Sequence, residues 1–570
     1  MKWIQETPWK FEGSRYSVEL LSDRPAVKVT LPGGQLLADV MLMSSAHTMN
    51  GRDVSAAIPQ WQMEEIEGGY VLRGETDSLL WEKKTVALTM LEDRMIYGMT
   101  VEGEGALTDV ELLSGYYTGC NKRHSNARLY SGFYADSLFN PEPDGWEQYS
   151  VSPQERALID MTGVPIPGRD HWFFTPPPFC FVLRKGDACM TLGVTAAPGK
   201  HTFTEFEYIG GRGQGLMLRY EGETKVSGAY ELPQVQMIFG EDEYALLGEF
   251  SRIERMLPAE KRQYEWWTKP IFCGWGAQSA LSRDYNKPAP ALAYQKFYED
   301  FTDSLDEKGI NPGIIVIDDK WQAHYGLNSV DTDKWPDMKG FIRRMHDKGR
   351  KVLLWLKAWD PDGVDPALCV RDFRGDAQAI DPENPAYIAL FRAACEHMLS
   401  PEGLDADGFK IDFTARIPTC AGCQHYGDHW GLELMRDYLA MVHDAAKAVK
   451  DDALVMCHCP HPYLADKLDM IRLNDVNTGR PVCAQMIHRA KVTAAVLPDR
   501  LIDTDNWPMP NKQSWLDYER IQPDLGVPSL YYLWHMDNSP EEITDEDLDV
   551  VRACFRRWEE KRGDMKLHQA

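Results

Sequence analysis

No run of this 570-residue chain approaches the roughly 20 consecutive apolar residues that a helix needs to cross a bilayer. The opening segment, MKWIQETPWKFEG, lacks the apolar core of an export signal, so the expectation is a cytoplasmic protein with no membrane partner. Cysteine is sparse, 12 residues in 570, too few for a disulfide scaffold, and mostly reduced thiols are expected. Positive charge is short as well: 61 Lys and Arg against 87 Asp and Glu leave a formal net charge of −26. Such a surface repels phosphate backbones and anionic lipid, which argues against nucleic-acid and membrane-surface binding. Repeats and low-complexity tracts are lacking, and 44% hydrophobic with 26% charged residues excludes a collagen-like, mucin-like or disordered chain.

What the chain does have is two textures. Up to about residue 240, short stretches such as YVLRGETDSLLWEKKTVALTMLEDRMIYGMTVEGEG alternate apolar and polar residues, the period of antiparallel strands with one wet face. This predicts an N-terminal antiparallel β-sandwich over 1–240. In EDEYALLGEFSRIERML, Leu246, Leu247, Phe250, Ile253 and Leu257 share one helical face, which predicts a linker helix within 241–265.

From about Trp266 short apolar strands alternate with amphipathic helices. The strands are IFCGW (271–275), IIVIDD (314–319), KVLLWLKAW (351–359), DGFKIDF (407–413), ALVMCHC (453–459), MIRLND (470–475), LIDTDN (501–506) and VPSLYYLWHM (527–536). Eight βα repeats over roughly 270 residues match a (β/α)8 TIM barrel in count and size, predicted over 266–562 with a tail at 563–570. Ser539, Pro540 and Glu542 have the spacing of a capped helix start after the eighth strand.

Reactive side chains of such barrels sit at the C-terminal strand ends. Polar residues crowd those ends: Asp318 and Asp319 on strand two, Lys410 and Asp412 on strand four, and His458 on strand five. Arg472, Asn474 and Asp475 follow on strand six, and Asp503 and Asp505 on strand seven. One or two such carboxylates would be helix caps; a ring of them costs stability through like-charge repulsion and marks a substrate mouth. Carboxylates facing each other across a mouth rich in tryptophan (18 in this chain) suit glycosidic bond cleavage, one as nucleophile or water activator and one as proton donor. Asp412 and Asp475 lie on opposite sides of that mouth, and Lys410 shares a face with Asp412, where its charge would keep Asp412 ionised. The alternative for Lys410 and Asp412 is a structural ion pair inside the barrel. Asp505 rivals Asp475 for the proton-donor role.

FCGWGAQSA resembles the first-strand GWCTW segment of the α-galactosidases of glycoside hydrolase family 36 and the related raffinose synthases, clan D enzymes. GIIVIDDKWQ is similar to their IIDDGWQ, and KVLLWLKAWDPDG to their third-strand LWF-x-PE region. DGFKIDF resembles the K-x-D nucleophile segment and MIRLNDV the R-x-SDD acid/base segment, while NWPMPNKQSWLDYERIQPDLGVPSLYY loosely resembles a late NHQT segment. The likeness runs in order over about 266–536. It implies a retaining α-galactosidase-like hydrolase with Asp412 as nucleophile and Asp475 as acid/base, the two roughly 5–6 Å apart and the Asp475 pKa raised. It also implies sugar contacts at Asp318, Asp319, Lys410 and Arg472. Trp275, Trp321 and Trp359 are candidate ring-packing walls, with His458 a further candidate contact. Departures include Lys320 for the glycine of DDGW, Gly276 and Ala277 for Thr-Trp, Asn474 for Ser and Lys512 for His.

The partner is thus an oligosaccharide or glycoside, no cofactor is required, and homo-oligomer formation stays open. Three other readings remain: an α-glycosyl transferase sharing the same intermediate, a metal-assisted hydrolase, and a catalytically inactive carbohydrate-binding protein. The metal reading rests on Cys420, Cys423, His425 and His429, which offer a zinc-ligand spacing. Cys457, His458, Cys459 and His461 could add ligands.

Overall fold

The computed structural model describes residues 2–5, 9–118, 127–141, 149–150, 156–160, 179–211, 213–255, 263–414, 416–418, 422–563 and 565. In the N-terminal region, a six-stranded and a thirteen-stranded antiparallel sheet face each other. Alternation does the work here: in the strand Lys83–Leu91 every second residue is buried, as the pleat demands of a sheet wet on one side. Phe11, Val27, Val29 and Val40 from one sheet meet Leu88, Tyr97, Val101 and Leu192 from the other in one hydrophobic cluster.

Helix α1 (Glu243–Glu254) follows, capped by Asp242, whose side chain accepts from the Ala245 amide. Leu246, Leu247 and Phe250 are buried as the periodicity predicts, but Ile253 is 37% exposed, because the buried stripe swings to Ser251 and Glu254. Leu257 lies outside the described residues. Phe250 packs flat against the strand Ala188–Thr195: a Cβ on Gly193 would sit 2.4 Å from its ring. Ser251 Oγ donates to the Val496 carbonyl of the barrel, so α1 is wedged between sandwich and barrel.

The barrel strands are β1 (Ile271–Cys273), β2 (Ile314–Ile317), β3 (Lys351–Lys357), β4 (Gly408–Asp412), β5 (Leu454–Cys457), β6 (Met470–Arg472), β7 (Leu501–Asp503) and β8 (Ser529–Leu530). They pair in parallel in the order 7-6-5-4-3-2-1-8, and a bridge between Asp503 and Val527 brings the eighth segment against the seventh. Their bodies are near-continuous apolar runs, buried on both faces. Helices α2 (Gly274–Tyr285), α3 (Gln295–Glu307), α4 (Met338–Asp347), α5 (Pro385–Leu399), α6 (Gly431–Val449), α7 (Val482–Val496) and α8 (Lys512–Leu525) surround the strands. α9 (Asp545–Arg562) closes the set. Between β5 and β6 only a short 3-10 helix fits, Pro462–Lys467.

Several boundaries differ from the sequence reading: most strands end before the polar residues that follow them, and the eighth spans only Ser529–Leu530. The first strand stops at Cys273 and α2 begins at Gly274, which puts Trp275 in its first turn; a Cβ at Gly274 would sit 2.4 Å from Tyr298. The final helix starts at Thr544 rather than Ser539: Thr544 and Asp547 form a reciprocal capping box. Glu542 is held instead in a bridge to His535.

Candidate active site

Five non-glycine residues just past barrel strands have positive φ: Lys320, Trp359, Phe413, Asn474 and Asp505, at 79°, 68°, 60°, 73° and 53°. Such conformations cost about 1–3 kcal/mol each and persist only where the surroundings hold them. Asn474 shows how. Arg489 of α7 donates through Nη1 to the carbonyls of Leu473, Asn474 and Asp475 at 3.0, 2.9 and 2.7 Å. This clamp bends the backbone after β6 so that Asp475 turns toward the barrel mouth, and an asparagine tolerates the bend better than most residues.

The strand period places Lys410 and Asp412 on the same face of β4, with Lys410 deeper. Lys410 Nζ donates to Asp318 Oδ2 at 2.7 Å, with Cys273 Sγ and the Tyr531 hydroxyl each 3.3 Å away. Burial opposes the Lys410 charge, but the Asp318 carboxylate outweighs it and leaves the pKa above the usual lysine value. Lys410 is therefore ion-paired with Asp318 across at the end of β2, not with Asp412 as the structural ion-pair alternative had it, while its charge still favours the ionised Asp412 at longer range.

The cation on Asp412 is Arg472. Its Nη2 donates to Asp412 Oδ1 at 2.9 Å and to Asn474 Oδ1 at 2.7 Å, and its Nη1 donates to Asp505 Oδ2 at 2.9 Å and to Asp475 Oδ1 at 3.4 Å. Asp412 also accepts from Trp355 Nε1 at 3.3 Å and from the Phe413 amide at 3.0 Å. Burial alone would raise the Asp412 pKa, but Arg472, aided at longer range by Lys410, reverses this and holds it below the usual carboxylate value. For Asp475 the balance falls the other way. Burial holds the carboxyl well above its ordinary value against the pull of Arg472, and the Asp412 and Asp505 charges add to the rise. Two carboxyl groups served by one guanidinium are thereby driven apart in acidity.

These groups line a cavity of about 300 Å³, at the small end of ligand pockets and suited to a single sugar ring rather than a long chain. Its acidic and basic lining is Asp318, Asp319, Lys410, Asp412, Arg472 and Asp475; its walls are Trp275, Trp355, Phe413, Trp507, Pro508 and Tyr531. Asp319 accepts from the Tyr325 hydroxyl at 2.6 Å, and burial pushes its pKa up to about 6.

Not every candidate reaches the cavity. Trp321 is fully buried, its indole N–H donating to the Trp355 carbonyl, and Trp359 packs against Tyr438 and donates to the Thr414 carbonyl. Both are core residues whose N–H groups find partners inside. His458 stands behind Asp412, Nδ1 3.9 Å from Oδ1; burial, reinforced by Arg472, pushes its pKa down to about 3, so the ring is neutral. Asp505 is fully buried behind Arg472 and tied to the Asn506 and Trp507 amides, outside the cavity lining.

Lys320 sits over the Tyr325 ring, 3.6 Å from its centre, and beside Asp362. Lys512 pairs with Asp547 at the base of α9. Gly276 is explained by crowding, since a Cβ there would sit 2.5 Å from the Tyr531 carbonyl oxygen.

Sequence reasoning missed Trp355, Phe413, Trp507 and Tyr531. Trp355 lies inside the buried apolar run of β3, where it reads as a core residue. The other three follow strand ends, where only the bent backbone decides which way a side chain points. Of the candidate zinc set, Cys423 is disulfide-bonded and so offers no thiolate, and Cys420 lies outside the described residues. Cys457 and Cys459 are buried thiols, and His461 Nδ1 accepts from the Tyr463 amide at the head of the 3-10 helix.

No protein-family model matches the chain. Among curated proteins, 137 residues are 28% identical to the α-xylosidase XylQ of Lactiplantibacillus pentosus, covering 21% of this chain and 18% of that protein. The match therefore spans under a fifth of that relative's length. Among solved structures, a family 31 sulfoquinovosidase from E. rectale, in complex with an aza-sugar inhibitor, gives a TM-score of 0.58 at 10% identity over 98% of this chain and 82% of that one. The family 36 α-galactosidase AgaB of Geobacillus stearothermophilus gives 0.54 at 11% identity over 99% and 86%. At these identities the likeness establishes the shared fold, a β-sandwich followed by a (β/α)8 barrel.

Proposed function

We propose that this chain is a retaining α-glycosidase, with terminal α-galactosides as its first-choice substrates. The observation that carries the reading is the split acidity of Asp412 and Asp475 around Arg472 at the floor of a one-sugar cavity. Asp412, held ionised, attacks the anomeric carbon as the bond to the leaving oxygen breaks, and Asp475, held protonated, gives that oxygen its proton. The covalent glycosyl-enzyme is then opened by water, whose proton returns to Asp475. Asp318, Asp319 and Lys410 form the polar end of the cavity and bind sugar hydroxyls, while Trp275, Trp355 and Trp507 pack the ring faces. The α configuration is supported by the resemblance of the strand motifs and by the names of two similar proteins, an α-xylosidase and an α-galactosidase.

Proton NMR of freshly released sugar tests the reading, using aryl α- and β-glycosides of galactose, glucose, xylose and sulfoquinovose. The expected result is turnover of the α-galactoside with the α anomer released first. Release of the β anomer first, or cleavage of β-glycosides alone, contradicts the mechanism. Preference for the α-xyloside or the sulfoquinovoside keeps the mechanism and overturns the sugar. Glycosyl transfer to an added sugar in place of hydrolysis marks a transferase.

A further inference from the structure

Away from the barrel axis, four side chains from three segments converge. Glu383 immediately precedes Asn384, the cap of α5; His425 and His429 lie on the connection from β4 to α6; Asp437 lies on α6 itself. His429 Nδ1 is 2.7 Å from Asp437 Oδ2 and 3.6 Å from Glu383 Oε1. The His429 amide also donates to Glu383 Oε2 at 3.1 Å. One donor atom from each of Glu383, His429 and Asp437 falls within 4.8 Å of the others.

A hydrogen-bonded ion-pair network holds those three residues well, and His425 less well. The His425 side chain is only 5% exposed and its Nδ1 lies 3.2 Å from Glu383 Oε2. This ion-pair contact is loose, and Nδ1 has no well-formed hydrogen bond among the described residues. Leaving a buried polar nitrogen in that state costs about 1–3 kcal/mol. The connection is also shaped around the carboxylate, since a Cβ on Gly427 would sit 2.0 Å from Glu383 Oε1. An ion would reach the group from the adjoining cavity of about 710 Å³, which His425 and His429 line together with Glu223 and Lys225 of the sandwich.

We propose that Glu383, His425, His429 and Asp437 bind one divalent first-row transition ion, Zn²⁺ by the chemistry of the donor set. Two imidazoles and two carboxylates are borderline nitrogen and oxygen ligands, which suit zinc better than the all-oxygen shells of calcium or magnesium. Ligands at about 2.1 Å from zinc stand about 3.4 Å apart in a tetrahedron, close to the 3.2 and 3.6 Å that separate Glu383 from His425 and His429. The ion would staple the connection after β3 to the one after β4. Those segments are already joined by the paired backbone hydrogen bonds of Arg371 and Gln424. Its role is structural and independent of the glycosidase reading.

The test uses the full-length protein purified without chelator, with metal content by inductively coupled plasma mass spectrometry. Calorimetric titration of chelator-stripped protein with Zn²⁺ follows. The expectation is about one Zn²⁺ per chain, with thermal stability raised by the ion and lowered by its removal. Uptake should be lost in H429A and in the milder E383Q, and retained in D412N. The wild-type stoichiometry decides the matter even if H429A does not fold. Sub-stoichiometric metal with no saturable uptake overturns the proposal. So does undiminished binding in folded E383Q, or saturation by Ca²⁺ or Mg²⁺ but not by Zn²⁺.

Discussion

Replacing Arg472 with glutamine removes the charge that separates the two acids while keeping side-chain donors near them. Arg472 bonds Asp412 and Asp505 at 2.9 Å and Asp475 at 3.4 Å. Taking about 4 Å between charge centres and an effective dielectric of about 20, each close pair is worth at most about 4 kcal/mol, or about three pKa units. A carboxylate beside an arginine is ordinarily lowered by about one to three units, so R472Q should raise the Asp412 pKa by that amount. In kcat/KM against pH for an activated aryl α-glycoside, the acid limb then moves alkaline by about one to three units. The alkaline limb follows, because Arg472 also opposes the rise at Asp475.

Stability should fall by about 3–5 kcal/mol at neutral pH, since three buried carboxyls lose their shared cation. The sign is fixed by Asp412: its folded pKa is depressed, so its contribution is present above the unfolded value of about 3.9 and lost as pH falls through the folded one. Urea unfolding of wild type and variant should therefore converge toward low pH. An acid limb that stays in place in an active R472Q, or a stability loss that does not shrink on acidification, refutes the reasoning.

Other consequences follow from the same geometry. D475N should lose about 10²–10⁴-fold on substrates with poor leaving groups and far less on dinitrophenyl glycosides, which need no proton; equal losses on both would remove Asp475 from the donor role. His201 is buried between Glu254 of α1 and Glu433 of α6. Burial lowers its pKa, but the bonds to both carboxylates prevail and raise it. A raised histidine stabilises fully below the unfolded value of about 6.5, and that contribution is lost as pH climbs through the folded one. Thermal unfolding from pH 6 to 9 should show this decline in the wild type and a flatter profile in H201Q; parallel profiles would contradict it.

The barrel was legible because its strands are buried on both faces, so each reads as an apolar run such as IIVI (314–317), fully buried in the structure. The polar residues beyond those runs were legible as a set for the complementary reason: nothing in a packed barrel requires Asp318, Asp412 and Asp475 together. Direction was harder to read. Lys410 and Asp412 share a face by the strand period, yet which carboxylate the lysine meets depends on how far its chain reaches across the barrel. Trp321 and Trp359 look the same in sequence as Trp275 and Trp507, and only the path of the backbone past the strand ends separates walls from core. The Glu383–His429–Asp437 group was half visible: the histidines stood out beside two cysteines, but the carboxylates come from distant segments that no spacing links.

The central claim is that Asp412 forms a bond to the sugar. Incubation with a 2-deoxy-2-fluoro or 5-fluoro α-glycosyl fluoride, followed by proteolysis and tandem mass spectrometry, tests it directly. The account predicts one added glycosyl mass on the peptide containing DGFKIDF, localised to Asp412 and absent in D412N. Label on Asp475, on Asp319 or on no carboxylate, in protein that still turns over substrate, would contradict it.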